Sequence, residues 1–278
     1  MNRLVGTRFE VDDFAVTAER IEAYADATGD TLPAYRGPEA VAPPVFGIVP
    51  VWGGVQSAMA DPRLGIDLGR IVHGEQHMRY RRPIRAGDVL RSTGELISVQ
   101  ERGENEILVL RFSTADAAGE PVLEQDIVTV SRGTASGEEG RSTGATPPPQ
   151  LPSAPDGDPD EARTADLDDE ITYRYAEASG DDNRIHVDPE FARGAGLPGI
   201  IVQGLCLLSI ALQGPIERHA SGDPGRVRAL GVRFSRPIEP GRELTTRIWT
   251  VPEGARFEGV DPDGNAVLKN GVVEIAPA

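Results

Sequence analysis

The chain has 278 residues, 39% of them apolar and 26% charged, with a formal charge of −16. That length accommodates one large or two medium domains, each able to bury a core of its own. The acidity argues against a nucleic-acid partner, which needs clustered Lys and Arg, and requires any site for an anionic ligand to be locally basic.

The 32 Gly and 23 Pro imply many turns and at least one unstructured segment. A single cysteine, Cys206, excludes an intrachain disulfide and fits a reducing compartment. It lies in an apolar run, so packing rather than nucleophilic chemistry is expected of it. The N-terminus lacks an apolar signal region and no run of 18 apolar residues occurs, so a cytoplasmic protein without membrane association is expected.

In chain order, Thr17 reads as the N-cap of a helix carrying Ile21, Tyr24, Ala25 and Thr28 at helical spacing, with Gly29 near its end. A turn-rich segment leads to VFGIVPVWGGVQSAM, a second expected helix weakened by Gly53 and Gly54. From Val72 the pattern turns to strands, with turns at Arg85–Asp88, near Arg102–Asn105 and at AAGE. Helices followed by antiparallel strands make an α+β fold. Residues 134–164 are rich in Gly, Pro, Ser, Thr and acid. They read as a linker, partly disordered, between residues 1–133 and 165–278.

The two parts repeat each other. YADATGDTLPAY at 24–35 matches YAEASGDDNRIH at 175–186, PPVFGIVPVWGG at 43–54 matches LPGIIVQGLCLL at 197–208, and RYRRPIRAGDVL at 79–90 matches RFSRPIEPGREL at 233–244. Three matches in order, at offsets of 151 and then 154 residues, point to one fold present twice.

Only the second copy concentrates reactive groups. Asp181, Asn183 and His186 stand within SGDDNRIHVDP, and PGIIVQG follows, ending at Gly204 where an apolar helix begins. Asp-x-Asn-x-x-His with a helix-entry glycine 18 residues beyond the histidine resembles the motif of the MaoC-like, (R)-specific enoyl-CoA hydratases. The resemblance implies a double hot-dog fold, in which each repeat wraps an antiparallel sheet around a central helix. It also implies reversible hydration of a trans-2-enoyl thioester to the (3R)-3-hydroxyacyl thioester. No cofactor is needed beyond the CoA or acyl-carrier thioester that holds the substrate.

That reaction needs a water held and deprotonated over the β-carbon, a proton for the α-carbon, and stabilisation of charge on the thioester oxygen. Asp181 and His186 are an acid/base pair able to grip one water. Asn183 can donate and accept without titrating. The Gly204 N–H stands at a helix N-terminus, where unpaired amides and the dipole favour negative charge. The resemblance assigns these roles to Asp181, Asn183, His186 and Gly204. Which of Asp181 and His186 takes the water proton stays open. So does the plainer reading of Asp181 as a turn residue and His186 as a hydrogen-bonded core histidine. One His beside Asp181 and Asp188, with no Cys cluster, does not make a metal site.

Aligning the repeats puts Asp30 opposite Asp181, Leu32 opposite Asn183, Tyr35 opposite His186 and Pro50 opposite Gly204. Proline has no backbone N–H to offer an oxyanion. The first copy therefore reads as catalytically dead, with Phe46, Val49, Trp52 and Val55 either lining an acyl tunnel or serving only as core. Arg184 stands where the family usually has proline, and Gln203 where it commonly has histidine. Both are candidate substrate contacts beside Phe46 and Trp52, and Arg184 reads equally as a solvated arginine. His73 and His77 are expected at a surface or interface. Arg79, Arg81, Arg82 and Arg85 are expected either to meet CoA phosphates or to pair with acids.

A homodimer, or a heteromer, follows from the way hot-dog sheets pair. The alternatives are a dehydratase acting on acyl-carrier protein, a thioesterase, and a non-catalytic acyl-thioester-binding subunit.

Overall fold

The computed structural model describes residues 4–66, 70–137 and 139–277. After two short strands, β1 (Arg8–Glu10) and β2 (Phe14–Ala15), helix α1 runs from Ala18 to Ala27. Its start is fixed by Thr17, whose hydroxyl accepts from the Arg20 N–H at 3.3 Å, and it buries Ile21, Tyr24 and Ala25. The second expected helix arrives in two pieces. Pro44–Val51 is a 3-10 helix, and α2 follows from Trp52 to Ala60. Pro50 supplies no N–H to the preceding turn, so regular α-helix begins only beyond it.

Strands β3 (Ile71–Tyr80), β4 (Val89–Arg102), β5 (Asn105–Ala115) and β6 (Pro121–Ser131) follow, broken at the three turns that the sequence marks. After β7 (Arg141–Ser142) and β8 (Glu161–Leu167) come four helices, α3 (Ile171–Ser179), α4 (Arg184–Val187), α5 (Pro189–Gly194) and α6 (Gly204–His219). Strands β9 (Val227–Phe234), β10 (Arg242–Val251), β11 (Gly254–Val260) and β12 (Ala266–Ile275) complete the second copy of helices followed by strands.

The strands form one antiparallel sheet in the order β1-β4-β5-β6-β3-β9-β12-β11-β10-β8, with β2 and β7 added beside β4. The halves join where β3 pairs β9, from Glu75 opposite Arg233 to Arg79 opposite Ala229. At this seam Glu75 accepts from Arg233 at 2.9 Å and contacts His77 at 3.2 Å, and His77 is buried. Arg79 pairs with Glu124, and Arg82 with Asp88 and Asp116, so these members of the basic cluster face acids of this chain.

The first part of helix α6 is covered on every side; Leu205 through Leu212 are all buried, Cys206 completely, and Ser209 is the one polar residue among them. The helix rests on β9 to β12 and on the Pro44–Val51 turn of the other half. A stretch of helix with no polar face needs cover all round, and both repeats supply it. Where the repeats meet, the equivalent tyrosines touch. The Tyr24 hydroxyl lies 3.0 Å from that of Tyr175 and 2.9 Å from Ser209 Oγ on α6, and the two rings pack edge to face at 5.5 Å.

Residues 139–160 cross the sheet on the face away from α6. β7 pairs with Ser98 and Val99 of β4, and Ala145 packs on Ile97, Val109 and Val128. The Thr146 carbonyl then accepts from Arg111 at 2.9 Å. Leu151 is buried against Gly231 of β9. No helix of the described residues is long and apolar enough to cross a membrane.

Tyr24→Phe should leave the buried Tyr175 hydroxyl without its partner and destabilise the fold by about 1–3 kcal/mol in denaturant unfolding. An unchanged midpoint would show that the tyrosine contact does not hold the halves together.

Candidate active site

The motif residues are set by the end of α3. Gly180 caps that helix at φ 83°, a left-handed conformation natural to glycine, and turns the chain into Asp181. Ser179 holds the turn by donating to the Tyr175 carbonyl at 2.6 Å and accepting from the Asp181 N–H at 3.1 Å. Gln203 holds it from the other side. Its buried Nε2 donates to the Thr172 carbonyl at 2.9 Å and to the Asp181 carbonyl at 3.2 Å. This glutamine therefore ties the acid-bearing loop to α3 and to the residue before Gly204.

His186 lies on α4, whose N-cap is Asn183. The Asn183 Oδ1 accepts from the Ile185 N–H at 3.4 Å, and its side chain faces outward. Its backbone N–H is near enough to Asp181 to favour the charged carboxylate. The His186 Nδ1 lies 2.7 Å from the Ile201 carbonyl. A carbonyl only accepts, so Nδ1 carries the hydrogen, and in the neutral imidazole Nε2 is then the nitrogen with the lone pair. Asp181 and His186 are 7% and 8% exposed, each with a sliver of access to solvent. Burial raises the Asp181 pKa above the usual carboxylate range, opposed by the nearby His186 and by the Asn183 N–H.

Gly204 opens α6 and stays partly accessible. By position its N–H has no acceptor within the helix. A Cβ here would stand 2.9 Å from the Phe234 ring, a spacing that real Cβ atoms avoid, so any larger residue would have to displace that ring. Phe234 in turn packs on His73 of β3, with ring centroids 4.6 Å apart. Among the described residues no group of three His, Cys, Asp or Glu side chains is arranged to hold a metal.

The other candidates separate. Trp52 reaches the loop: its ring edge lies 3.3 Å from where a Cβ on Gly180 would be, and Gln56 on the same helix donates to Asp182 at 3.3 Å. Phe46 lies elsewhere, fully buried between Phe14 and Tyr24. Arg184 points outward, paired with Asp188 at 2.7 Å and stacked 4.3 Å over the Phe191 ring. In the first copy, Asp30 and Tyr35 are buried around a cavity with room for roughly one water molecule. The Tyr35 hydroxyl is near enough to feel the Asp30 charge but makes no hydrogen bond of ordinary geometry.

Two family models match the chain. Residues 150–268 match the MaoC-like domain, and residues 3–125 match the FAS1-like dehydratase domain region. A probable enoyl-CoA hydratase 2 of Dictyostelium discoideum is 30% identical over 213 residues, spanning 74% of this chain and 70% of that protein. The chain belongs to the MaoC-like hydratase and dehydratase family. The 3-hydroxyacyl-thioester dehydratase Y of Mycobacterium tuberculosis is 33% identical over 217 residues, 73% of this chain and 72% of the relative. Proteins so named are hydro-lyases, and this MaoC-like protein is an enzyme of that class. A crystal structure of a MaoC-like dehydratase from Phytophthora capsici superposes with a TM-score of 0.88 at 23% identity, over 99% of this chain and 97% of the other. A Mycobacterium tuberculosis protein described as having a double hot-dog fold aligns over 98% of this chain and 96% of its own at TM-score 0.65 and 12% identity. The fold is the double hot-dog.

The Asp181 carboxylate is held where burial opposes its charge. A carboxyl whose native pKa exceeds its unfolded pKa favours folding when protonated, and that contribution is lost as pH rises through the native value. Asp181→Asn should therefore raise Tm at neutral pH, by about 2–4 °C for each kcal/mol regained, with the gain shrinking as pH falls. Calorimetry of both proteins between pH 4 and 8 checks this, and a lower Tm for the variant at pH 7 would contradict it.

Proposed function

We propose that this protein hydrates trans-2-enoyl-CoA to (3R)-3-hydroxyacyl-CoA, and dehydrates it in reverse, with one water held between Asp181 and His186. The observation that carries the proposal is that Asp181 and His186 are near enough to influence each other and are both tied to the segment leading into α6 at Gly204, Asp181 through Gln203 and His186 through Ile201. The relatives named as enoyl-CoA hydratase 2 and 3-hydroxyacyl-thioester dehydratase Y supply the reaction class.

With Nδ1–H donating to Ile201, a neutral His186 and an ionised Asp181 both begin as acceptors. Neither brings an acidic proton of its own, so the proton that reaches the α-carbon is the one taken from the water. As the water O–H bond breaks toward the pair, the oxygen bonds the β-carbon. The π electrons shift onto the thioester oxygen, where the Gly204 N–H and the helix dipole stabilise them. Collapse of that enolate collects the proton at the α-carbon on the face where the pair lies. Hydroxyl and hydrogen are thereby added from one side. Ser179 and Gln203 hold the Asp181 backbone in place, and Trp52 lies beside the loop.

Crotonyl-CoA should lose its enone absorbance on incubation with the protein and give the (R) alcohol, without release of free thiol. In deuterium oxide the label at the α-carbon should be syn to the hydroxyl. Absence of turnover across a range of chain lengths would contradict the proposal. Release of thiol would point to hydrolysis instead. Faster turnover of the acyl-carrier thioester than of the CoA thioester would favour a dehydratase of fatty-acid or polyketide synthesis.

A further inference from the structure

The least expected neighbour of the site is braced by the catalytically degraded half. Phe234, the last residue of β9, is only partly buried, and two of its ring atoms lie 2.9 Å from the point that a Gly204 Cβ would occupy. Its ring therefore lies flush against the first residue of α6, beside the space where the Gly204 N–H can meet a thioester oxygen. The ring is braced in turn by His73, the third residue of β3, at 4.6 Å between centroids and 56° between planes.

The brace is firm and uncharged. The His73 Nε2 is buried with no hydrogen-bond partner, and burial lowers the imidazole pKa to about 4, so the ring is neutral and packs as an aromatic. On the hydratase reading, a thioester bound at the Gly204 N–H meets this flat wall with the atoms next to its carbonyl. The first of those atoms is the α-carbon.

We propose that Phe234, positioned by His73, is a specificity-determining wall that admits 2-enoyl thioesters with hydrogen at the α-carbon and turns away those carrying an α-methyl branch. The inference rests on the hydratase reading above and adds the substrate class within it. It also gives the first copy a defined role, because its strand β3 carries the residue that sets the wall.

The test compares kcat/KM for crotonyl-CoA and its α-methyl analogue, 2-methylcrotonyl-CoA, in the wild type and in Phe234→Ala, Phe234→Leu, His73→Ala and His73→Phe. A misplaced methyl in a packed pocket is discriminated by about 10–200-fold, so the wild type should prefer the unbranched substrate at least tenfold. Phe234→Ala should shift that ratio toward the branched substrate by about tenfold or more, and Phe234→Leu by less. His73→Ala should shift it in the same direction, whereas His73→Phe, which keeps an aromatic brace, should stay near the wild-type ratio.

Titration calorimetry with both thioesters gives the same ratio from binding alone, so it can be read even if the wild type turns over neither substrate. That outcome would count against the hydratase reading and leave the wall to be judged by binding. Should Phe234→Ala fail to fold, Phe234→Leu carries the comparison. A ratio unchanged by the Phe234 substitutions, with both substrates slowed equally, would overturn the proposal, as would equal use of the two thioesters by the wild type.

Discussion

Everything in this molecule answers to one constraint: from Leu205 to Leu212 α6 is buried on all sides with Ser209 its one polar residue, while its first residue, Gly204, stays partly accessible. One curved sheet covers about half of such a helix. The remainder is covered by the other repeat, through the Pro44–Val51 turn and through α1, whose Tyr24 reaches Ser209 on α6. Burying a Leu or Ile side chain is worth roughly 1.5–3 kcal/mol, and α6 buries Leu205, Leu207, Leu208, Ile210, Leu212 and Ile216. An unpaired copy of the second repeat would leave much of that surface in water. The first repeat is therefore required by the fold whether or not it retains chemistry.

This explains how the copies diverged. The first kept what packing demands, namely the tyrosine that meets its twin, the buried Asp30 in its turn, and the long strands. It exchanged the imidazole for Tyr35 and the helix-entry glycine for Pro50, which also holds the backbone in a 3-10 turn. In the second copy the polar groups persist against the preference of a buried environment. Asp181 is ionisable and nearly enclosed, and it is tolerated because Ser179 and Gln203 fix the loop around it. A carboxylate kept at the expense of stability is the usual mark of a working site.

Much of this could be read before any coordinates. Internal duplication, the helix-then-strand order and the Asp181–Asn183–His186 spacing are patterns of residue type at fixed separation, and sequence carries those directly. Tertiary neighbours were another matter. Nothing in GIIVQG says that Gln203 folds back onto the Asp181 carbonyl. Phe46 and Trp52 look alike as aromatic residues near a helix start, but only Trp52 lies beside Gly180. Asn183 is legible as a motif member, whereas its use as the side chain that caps α4 depends on backbone geometry. The segment 134–164 has the composition of a linker. Its path across the sheet hangs on Ala145 and Leu151, two apolar residues too few to stand out. His73 and Phe234 lie far apart in sequence on strands of different repeats, and no periodicity links them.

The account's central claim is that one of two equivalent buried aspartates does the chemistry while the other only packs. Rates of crotonyl-CoA hydration by Asp181→Asn and Asp30→Asn, each measured beside the wild type with the fold verified by circular dichroism, test it directly. The account predicts a loss of several orders of magnitude for Asp181→Asn and a rate within a few-fold of wild type for Asp30→Asn. Comparable losses in both, or an active Asp181→Asn, would contradict it.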